Sequence, residues 1–474
     1  MLGRPKKGGR RRWLTTSRRN PIPISPSPER GFFYGRVMAD IETRNPYRQA
    51  QFTGIDNRNP ETKVRPGFVR DLVNVDPTRD GQMPARRLGR DAPFYVGSRV
   101  HSVWGDGAFP WLVFVDSGVM YGKQSLGETP VPLRLLTSDE PMSYAQVNSE
   151  LYFSNGADAG VLRIDGEVQP WACEAPMGQS TLVATPNGGM HAGAYQVAIT
   201  YRDMLGRESG TGRAAVIDVP VGGGIALNAI PQPNDVSVVT VRIYVTEANG
   251  EVLYHAGDIP RGMLSAHIAH GPRKMPLRTQ FQSPLPPGQL VGVGHGRLFV
   301  ARGRTVYWSD ALRYGQGVLA DNTYRVGLAG DSLDLLAPVA DGMDGAGVYV
   351  AAGKRTYWLG GADPKEWRQV MAYPAGVVAG TLAWASGEVW GLDSRTPVPS
   401  WLAQNGQFCV GLPGGQIVSY NADTTATDTG ARGASLIRDV RGQRHMLATI
   451  QGPQALGISD DWSVEVRRNG VVLP

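Results

Sequence analysis

The densest group of charged side chains lies near the N-terminus of the 474-residue chain, where nine Lys and Arg residues and one Glu occupy residues 1–30. This segment carries a net charge of +8, and since the whole chain carries +6, the other 444 residues carry −2. Cations at this density bind phosphates with release of counterions, or pair with carboxylates in a groove of another protein. We predict that the partner-binding residues are Arg10, Arg11, Arg12, Trp13, Leu14, Arg18 and Arg19.

A proline-rich spacer follows this basic cluster, with prolines at every second or third position from Pro21 to Pro28. Proline removes backbone donors and favours extended chain, so residues 1–40 are predicted to form an arm that reaches beyond the fold. Trp13 and Leu14 favour a protein groove as the binding partner, because apolar side chains between the cations can anchor in a pocket. Contact with nucleic acid and a mobile tail without a partner remain open alternatives.

Histidines and carboxylates show no spacing typical of a metal site. His267 and His270 form an HxxH pair, but no carboxylate nearby supplies a third ligand, and Pro272 follows closely. Residues 76–81 partly imitate an EF-hand loop, yet Arg87 stands where a bidentate Glu is required. We therefore predict neither a metal site nor a cofactor.

Candidate catalytic groups are also missing from the sequence. The glycine-rich segment 292–296 leads into a strand instead of a helix, which removes the helix-terminus anion site. The adjacent carboxylates Asp139-Glu140 and Asp460-Asp461 would point to opposite faces of a strand, which does not suit acid–base catalysis. We predict no catalytic residue and no enzyme, although glycosidase propellers that place carboxylates at the starts of blade strands remain an alternative.

The composition predicts many short strands joined by tight turns. The chain contains 61 Gly and 35 Pro together with 41% hydrophobic residues, which argues against both disorder and collagen. Five hairpins are predicted from apolar strands that flank Gly- or Asn-containing turns. Their strands are 110–115 with 119–121, 150–154 with 161–164, 296–301 with 305–308, 347–352 with 356–359, and 407–411 with 417–420.

Several of these hairpins recur at intervals of about 40–50 residues, which is typical of the blades of a β-propeller. A single blade cannot bury both of its faces, whereas neighbouring blades around an axis bury them together. The Trp and Tyr residues of the strands are interpreted as packing between blades, with a sugar-binding platform as the alternative.

The hairpin spacing breaks between residues 176 and 275. This stretch contains alternating segments at 193–201, 214–219 and 238–245, which indicate a small β-sandwich. Its sequence YQVAITYRDMLGRESG resembles a fibronectin type III-like module. The predicted fold is therefore mainly β, a propeller interrupted by a sandwich, with an extended basic arm.

The predicted domains are an arm (1–40), the first blades (41–175), the sandwich insertion (176–275), and the remaining blades with C-terminal strands (276–474). Cys173 and Cys409 are predicted to be buried free thiols. No apolar run approaches the length of a membrane span, and no apolar segment follows the basic N-terminus as in a secretory signal. We expect synthesis in the cytoplasm.

The segment from Gly67 to Gly89 carries the pattern N-V-D-x-x-x-D-G-x-x-x-x-R-R-x-G, from Asn74 onward. This pattern resembles the start of propeller-type tail proteins of tailed bacteriophages, which include nozzle or hub proteins, tail tubular B-like proteins and packaged-DNA stabilisation proteins. A second match runs from Gly347 to Leu359 and continues at Tyr373–Gly380. The resemblance covers most of residues 54–174 and 288–420, while the arm and the insertion depart from the simplest form of the family.

The resemblance implies a structural protein of the phage virion tail, made in the host cytoplasm. It implies a homo-oligomeric ring that joins the portal or adaptor region to the distal tail or fibres and helps to retain and channel DNA. Other tail proteins would be its partners, with possible non-specific contact to packaged DNA and no membrane span. The alternatives are a carbohydrate-binding or carbohydrate-active propeller at the host surface and a non-viral interaction scaffold.

Overall fold

The computed structural model describes residues 54–71, 75–76, 85–86, 94–339, 345–393, 395–420, 422–425, 427, 429–440, 443–451, 467–468 and 471–472. Within these residues the regular structure consists of β-strands and short 3₁₀ helices, which confirms the prediction of a mainly β protein. The 3₁₀ helices are Glu61–Lys63, Pro364–Glu366, Gly387–Trp390 and Pro413–Gly415. No helix in the described ranges is long and apolar enough to cross a membrane.

Two short strand pairs precede the main sheets. Strands β1 (Gly54–Ile55) and β2 (Phe68–Val69) pair in parallel. Strands β3 (Val75–Asp76) and β4 (Ala85–Arg86) pair antiparallel, with Val75 opposite Arg86. The sequence pattern predicts a strand, a turn and a basic strand here, and the turn itself lies outside the described residues.

Two four-stranded antiparallel sheets come next, each with its strands in chain order. Sheet I consists of β5 (Val100–Trp104), β6 (Leu112–Asp116), β7 (Val119–Lys123) and β8 (Val131–Leu135). Sheet II consists of β9 (Ser143–Val147), β10 (Glu150–Ser154), β11 (Ala159–Arg163) and β12 (Val168–Gln169).

The chain then leaves this pattern and forms two sheets that pack on each other. Their strands are β13 (Thr181–Met190), β14 (Gly193–Asp203), β15 (Ala215–Val219), β16 (Gly223–Asn228), β17 (Val238–Val245), β18 (Tyr254–Pro260) and β19 (Ala266–Ile268). One sheet has the order β13-β16-β19 and the other β15-β14-β17-β18. Ile225 and Leu227 of the first sheet share a buried cluster with Val241 and Ile243 of the second. Period-two alternation supplies this inner face, because successive side chains of a strand point to opposite sides.

Three further four-stranded antiparallel sheets follow, and a two-stranded pair, β20 (Ser283–Pro284) with β24 (Gln316–Gly317), accompanies the first of them. Sheet III consists of β21 (Leu290–Gly294), β22 (Arg297–Arg302), β23 (Thr305–Trp308) and β25 (Thr323–Arg325). Sheet IV consists of β26 (Leu333–Val339), β27 (Gly347–Ala352), β28 (Arg355–Gly360) and β29 (Arg368–Tyr373). Sheet V consists of β30 (Ala383–Ser386), β31 (Pro397–Leu402), β32 (Phe408–Gly411) and β33 (Ile417–Ser419).

Two hairpins end the described chain. Strands β34 (Arg432–Val440) and β35 (Gln443–Gln451) form the first, and β36 (Arg467–Arg468) and β37 (Val471–Val472) form the second. Strand β34 lies beside sheet V, because the amide of Gly433 donates to the carbonyl of Ala379 at 2.8 Å.

The first strand of each of sheets I to V borders one common cavity. Five four-stranded antiparallel sheets around a central space have the arrangement of blades in a β-propeller. Neighbouring sheets bury their faces on each other, as sheets III and IV do through Phe299, Val306, Val348 and Leu359. Each of the five predicted hairpins corresponds to a strand pair: β6–β7, β10–β11, β22–β23, β27–β28 and β32–β33.

Polar contacts tie the two-sheet insertion to the sheets on either side. The Gln316 side chain donates to the carbonyl of Glu208 at 2.8 Å, and the Arg207 guanidinium donates to the carbonyl of Trp171 at 3.2 Å. The chain after β19 stays with the insertion, since the amide of Leu277 donates to Leu253 at 2.9 Å. The domain boundaries at 175 and 275 stay predictions.

Candidate functional site

The cavity bordered by sheets I to V has a volume of about 990 Å³. Its wall contains the first strand of each sheet because the outer strands of an antiparallel meander lie progressively farther from the axis. Sheets III and IV approach closely there, and a Cβ atom at Gly292 or Gly294 would lie 2.9 or 2.5 Å from Pro338. Glycine at these two positions of β21 therefore allows the wall to close.

Four charged side chains face this space, the carboxylates of Asp106, Glu140 and Asp334 and the guanidinium of Arg432. Arg432 Nη1 lies 3.9 Å from Glu140 Oε2, and both side chains are more than half exposed. Burial raises the pKa of Asp334, an effect that the charge of Arg432 partly opposes. The cavity is therefore net acidic, with one carboxyl whose proton is held more firmly than usual.

Aromatic and amide groups complete the wall. Trp384 remains 41% exposed, whereas Trp104 packs against Phe109 and Tyr144 with ring centroids 5.7 and 6.2 Å apart. The Tyr144 hydroxyl and the Gln146 Oε1 atom are buried without a hydrogen-bond partner. Burial raises the pKa of Tyr144, so this hydroxyl stays protonated. Such a wall suits a polar ligand with a flat apolar face.

The adjacent carboxylates Asp139 and Glu140 lie in the loop between β8 and β9 and not in a strand, and their side chains have different surroundings. Asp139 accepts a hydrogen bond from the amide of Gly118 at 2.6 Å and lies 3.1 Å from the ring of His101. The hydrogen bond from His101 and that from Gly118 outweigh burial and lower the pKa of Asp139. Asp139 thus has a structural role beside sheet I, and only Glu140 reaches the cavity. Asp460 and Asp461 lie outside the described residues.

The other motifs named from the sequence have local structural contacts. The His267 ring lies 2.9 Å from the Thr185 hydroxyl across the three-stranded sheet. His295, in the glycine-rich segment between β21 and β22, lies 3.3 Å from the carbonyl of Gly347. Burial lowers the pKa of His295, which keeps its ring neutral. In the described part of the chain, no three His, Cys, Asp or Glu side chains are placed to hold a metal ion.

Most of the described tryptophans serve packing, in agreement with the interpretation of the aromatic strands. Trp308, Trp358, Trp367 and Trp401 are each less than 9% exposed and lie in the clusters between sheets III, IV and V. The predicted partner-binding residues of the arm, from Arg10 to Arg19, lie outside the described residues.

Sequence reasoning missed Asp334, Arg432, Trp104 and Trp384 as residues of one cavity. Each of these residues lies at or beside the first strand of a sheet or at the start of β34. They were missed because the predicted hairpins consist mainly of second and third strands. A search for the strand that precedes each predicted hairpin would have found three of these positions.

Comparisons with known proteins identify no family. No protein-family model matches the chain, and no curated protein matches it. A chain in the crystal structure of BBS1N in complex with ARL6DN, soaked with lead, is 11% identical over 77% of this chain and 95% of that chain, with a TM-score of 0.28. Kluyveromyces lactis Hsv2 is 10% identical over 77% of this chain and 88% of that chain, with a TM-score of 0.26.

PorZ, a surface component of the type-IX secretion system of Porphyromonas gingivalis, is 11% identical over 73% of this chain and 55% of that chain, with a TM-score of 0.14. BBS1N and Hsv2 are β-propeller proteins. At these TM-scores the likeness carries no conclusion about function.

Proposed function

We propose that this protein is a structural component of a bacteriophage virion tail, a ring-forming nozzle or hub that joins the portal or adaptor region to the distal tail or fibres. The observation that carries the proposal is the position of the antiparallel β3–β4 strand pair before sheet I in the chain. The tail-protein family has its Asn-Val-Asp…Arg-Arg segment before the first blade, and Val75, Asp76 and Arg86 of the matching segment lie in this strand pair.

Contacts between modules support a mechanical role, because a load-bearing part must resist deformation. Sheets II and III are joined where the Ser154 hydroxyl donates to the carbonyl of Gly288 at 2.7 Å and accepts from its amide at 2.9 Å. The insertion is held by Arg207 on one side and by Gln316 on the other. A protein built in this way transmits force through packed sheets and carries its binding surfaces on loops.

Exposed apolar side chains on outermost strands support contact between copies. Leu135 and Val131 of β8 are 78% and 44% exposed, and Val370 and Met371 of β29 are 57% and 55% exposed. Edge strands with apolar side chains normally find a covering partner. We propose that these edges meet neighbouring subunits of a ring, with each contact repeated by rotational symmetry.

The insertion is proposed to be a fibronectin type III-like module. Its four-stranded sheet has the order β15-β14-β17-β18, which corresponds to a C′-C-F-G order in immunoglobulin-like sandwiches. Deleting residues 176–275 and joining the flanks with a short Gly/Ser linker tests its autonomy. A cooperative thermal transition in the deletion variant supports the module, and the loss of that transition contradicts it.

The basic arm is proposed to tether the ring to an adjacent protein of the tail. The cations and the Trp13-Leu14 pair suit an acidic groove with an apolar pocket, and packaged DNA is the second possible partner. Truncating residues 2–30 tests both partners. Particles that incorporate the truncated protein at normal occupancy and retain their DNA would contradict both forms of the idea.

Quantitative mass spectrometry of purified virions tests the structural role directly. We expect the full-length protein at a constant multiple of the portal protein, and negative-stain images should show a ring along the tail or at the portal-distal end. Detection in the infected-cell lysate but not in virions would overturn the proposal. Replacing Leu135 by Asp should weaken the ring, whereas Val216→Asp, at a similarly exposed position in the insertion, should not.

A carbohydrate-binding propeller at the host surface is the second candidate, because the cavity combines the exposed Trp384 with the carboxylates of Asp106 and Glu140. Saccharides stack on tryptophan and need such polar partners. Titration with maltohexaose, cellohexaose and chitohexaose should then shift tryptophan fluorescence in the wild type and in Trp390→Ala, but not in Trp384→Ala. Equal responses from both variants would contradict the cavity as the site.

A further inference from the structure

The turns between second and third strands lie together at one end of sheets II to V, which we call the turn end. Gly288, at the start of sheet III, binds Ser154 at the turn of sheet II. The Gln289 side chain links the turn of sheet III to the start of sheet IV through Gly303 and Ser332, at 2.9 and 3.3 Å.

Sheet V joins the same end. The amide of Gln404, at the β31–β32 turn, donates to the carbonyl of Gly376 at 2.8 Å. A Cβ atom on Gly376 would overlap the carbonyl oxygen of Gly353, which lies in the β27–β28 turn of sheet IV. The turns of sheets IV and V are therefore neighbours, and the turn end is one continuous surface.

Sheets III and IV contribute four exposed cations to this surface, and the carboxylate of Asp331 borders the β27–β28 turn. Arg302 of β22 and Arg325 of β25 are both paired with Thr305 of β23, which lies between them. Residues paired in this way project from the same face of a sheet, so both arginines extend from one face of sheet III. In sheet IV, Lys354 and Arg355 follow Gly353 at the corresponding turn. These four cations, which we call the basic turn patch, are all exposed and form no ion pair with a described residue.

The corresponding turns of the other sheets are not basic. They contain Asp116 and Ser117 in sheet I, Asn155 and Asp158 in sheet II, and Asn405 in sheet V. The patch also differs from the rest of the chain, since residues 31–474 carry a net charge of −2. Gly303 and Gly353 have φ angles of +58° and +57°, so glycine fixes both turns and holds the cations on rigid supports.

We propose that the basic turn patch binds the phosphate backbone of double-stranded DNA without reading its sequence. The inference rests on the proposed function, because a virion tail meets packaged DNA. Unpaired, exposed Arg and Lys side chains gain affinity by releasing counterions from DNA. The described patch contains neither a helix nor a two-stranded ribbon long enough to enter the major groove, so base contacts are not expected.

An acidic protein is the less favoured partner. Protein interfaces derive most of their affinity from a buried aromatic or aliphatic centre, with charges on the rim. Leu328, 64% exposed in the loop between sheets III and IV, is the exposed large apolar side chain nearest in sequence to the patch. A single leucine beside four cations resembles a phosphate-binding surface more than an interface core.

The test uses the full-length chain with Arg302, Arg325, Lys354 and Arg355 replaced by Gln. Binding to a random-sequence 40-base-pair duplex is measured by fluorescence anisotropy between 50 and 200 mM salt. Each lost phosphate contact reduces the slope of log K against log salt by about 0.9, so the slope should become less steep by about 3–4. The arm is present in both proteins, so its contribution cancels.

A matched control carries four Gln substitutions at exposed basic residues away from the patch, at Arg213, Arg273, Lys274 and Arg278. The control should keep the wild-type slope, and both variants should keep the wild-type thermal transition. Equal slopes for the patch variant and the wild type would overturn the proposal. A slope that becomes less steep by the same amount in the control variant as in the patch variant would also overturn it. If the patch variant loses binding to polyglutamate but not to DNA, the partner is an acidic protein and the DNA assignment is wrong. Virion incorporation, measured separately, reports on the proposed function independently of this result.

Discussion

Replacing Arg207 by Ala should weaken the junction between the insertion and sheet II. Arg207 Nε lies 2.6 Å from Asp203 Oδ2, and the Asp203 side chain is completely buried. The guanidinium also donates to the carbonyls of Trp171 and Pro170, each at 3.2 Å. Burial opposes the charge of Arg207, but the Asp203 carboxylate outweighs it and raises the pKa of the guanidinium.

The expected cost follows from the groups that lose their partners. Removing one member of a buried ion pair typically costs about 3–5 kcal/mol, since the other charge stays buried. Asp203 Oδ1 still accepts from the amides of Leu205 and Arg207 at 3.0 and 2.8 Å, so part of the carboxylate remains satisfied. We therefore expect the lower end of the range, about 3 kcal/mol of unfolding free energy.

Urea denaturation followed by fluorescence and by circular dichroism measures this loss. Arg207→Ala should lower the midpoint, and the insertion should unfold before sheets I to V, which would separate the two signals. Arg202→Ala is the control, because the Arg202 side chain, five residues before Arg207, makes only a 3.5 Å hydrogen bond to the carbonyl of Gly206 among the described residues. A double-mutant cycle with Asp203→Asn should show strong coupling. A loss below about 1 kcal/mol for Arg207→Ala would refute the reasoning.

Three other predictions concern packing, protonation and thiol chemistry. Gly376→Ala should destabilise the protein by about 1–3 kcal/mol in thermal unfolding, because the new methyl group meets the carbonyl of Gly353, whereas Gly257→Ala, with open space around it, should be nearly neutral. The backbone hydrogen bond from Arg99 outweighs burial and lowers the pKa of Asp116 below 3.8. The stabilisation by Asp116 is thus present above about pH 4 and lost as the pH falls through the lowered pKa, so urea titrations should show wild type and Asp116→Asn converging in acid. Burial raises the pKa of both free cysteines to about 12, so neither should react with a disulfide reagent at pH 8 until urea unfolds the chain. A fast thiol reaction in the native protein would contradict that burial.

The sequence by itself determined the hairpins and the character of their strands. Strand β10 at 150–154, β23 at 305–308 and β27 at 347–352 begin and end at the predicted residues. The reason is local, because a turn such as Arg302-Gly303 needs left-handed backbone that glycine adopts freely, and period-two alternation fixes which side chains are buried. The spacing of these local signals also changes where the two-sheet insertion follows sheet II.

Only the tertiary structure decided which residues meet around the axis. Glu140 and Arg432, which are 292 positions apart in the sequence, approach each other, and Asp334 joins them because the first strands of the sheets share one cavity. Closure of the cavity wall also depends on the contact of Gly292 and Gly294 with Pro338, and no local sequence pattern predicts this contact. Such contacts join elements distant in sequence, so they depend on how whole sheets pack. The hydrophobic effect that drives this packing is non-directional, so it produces no regular residue spacing from which these contacts could be predicted.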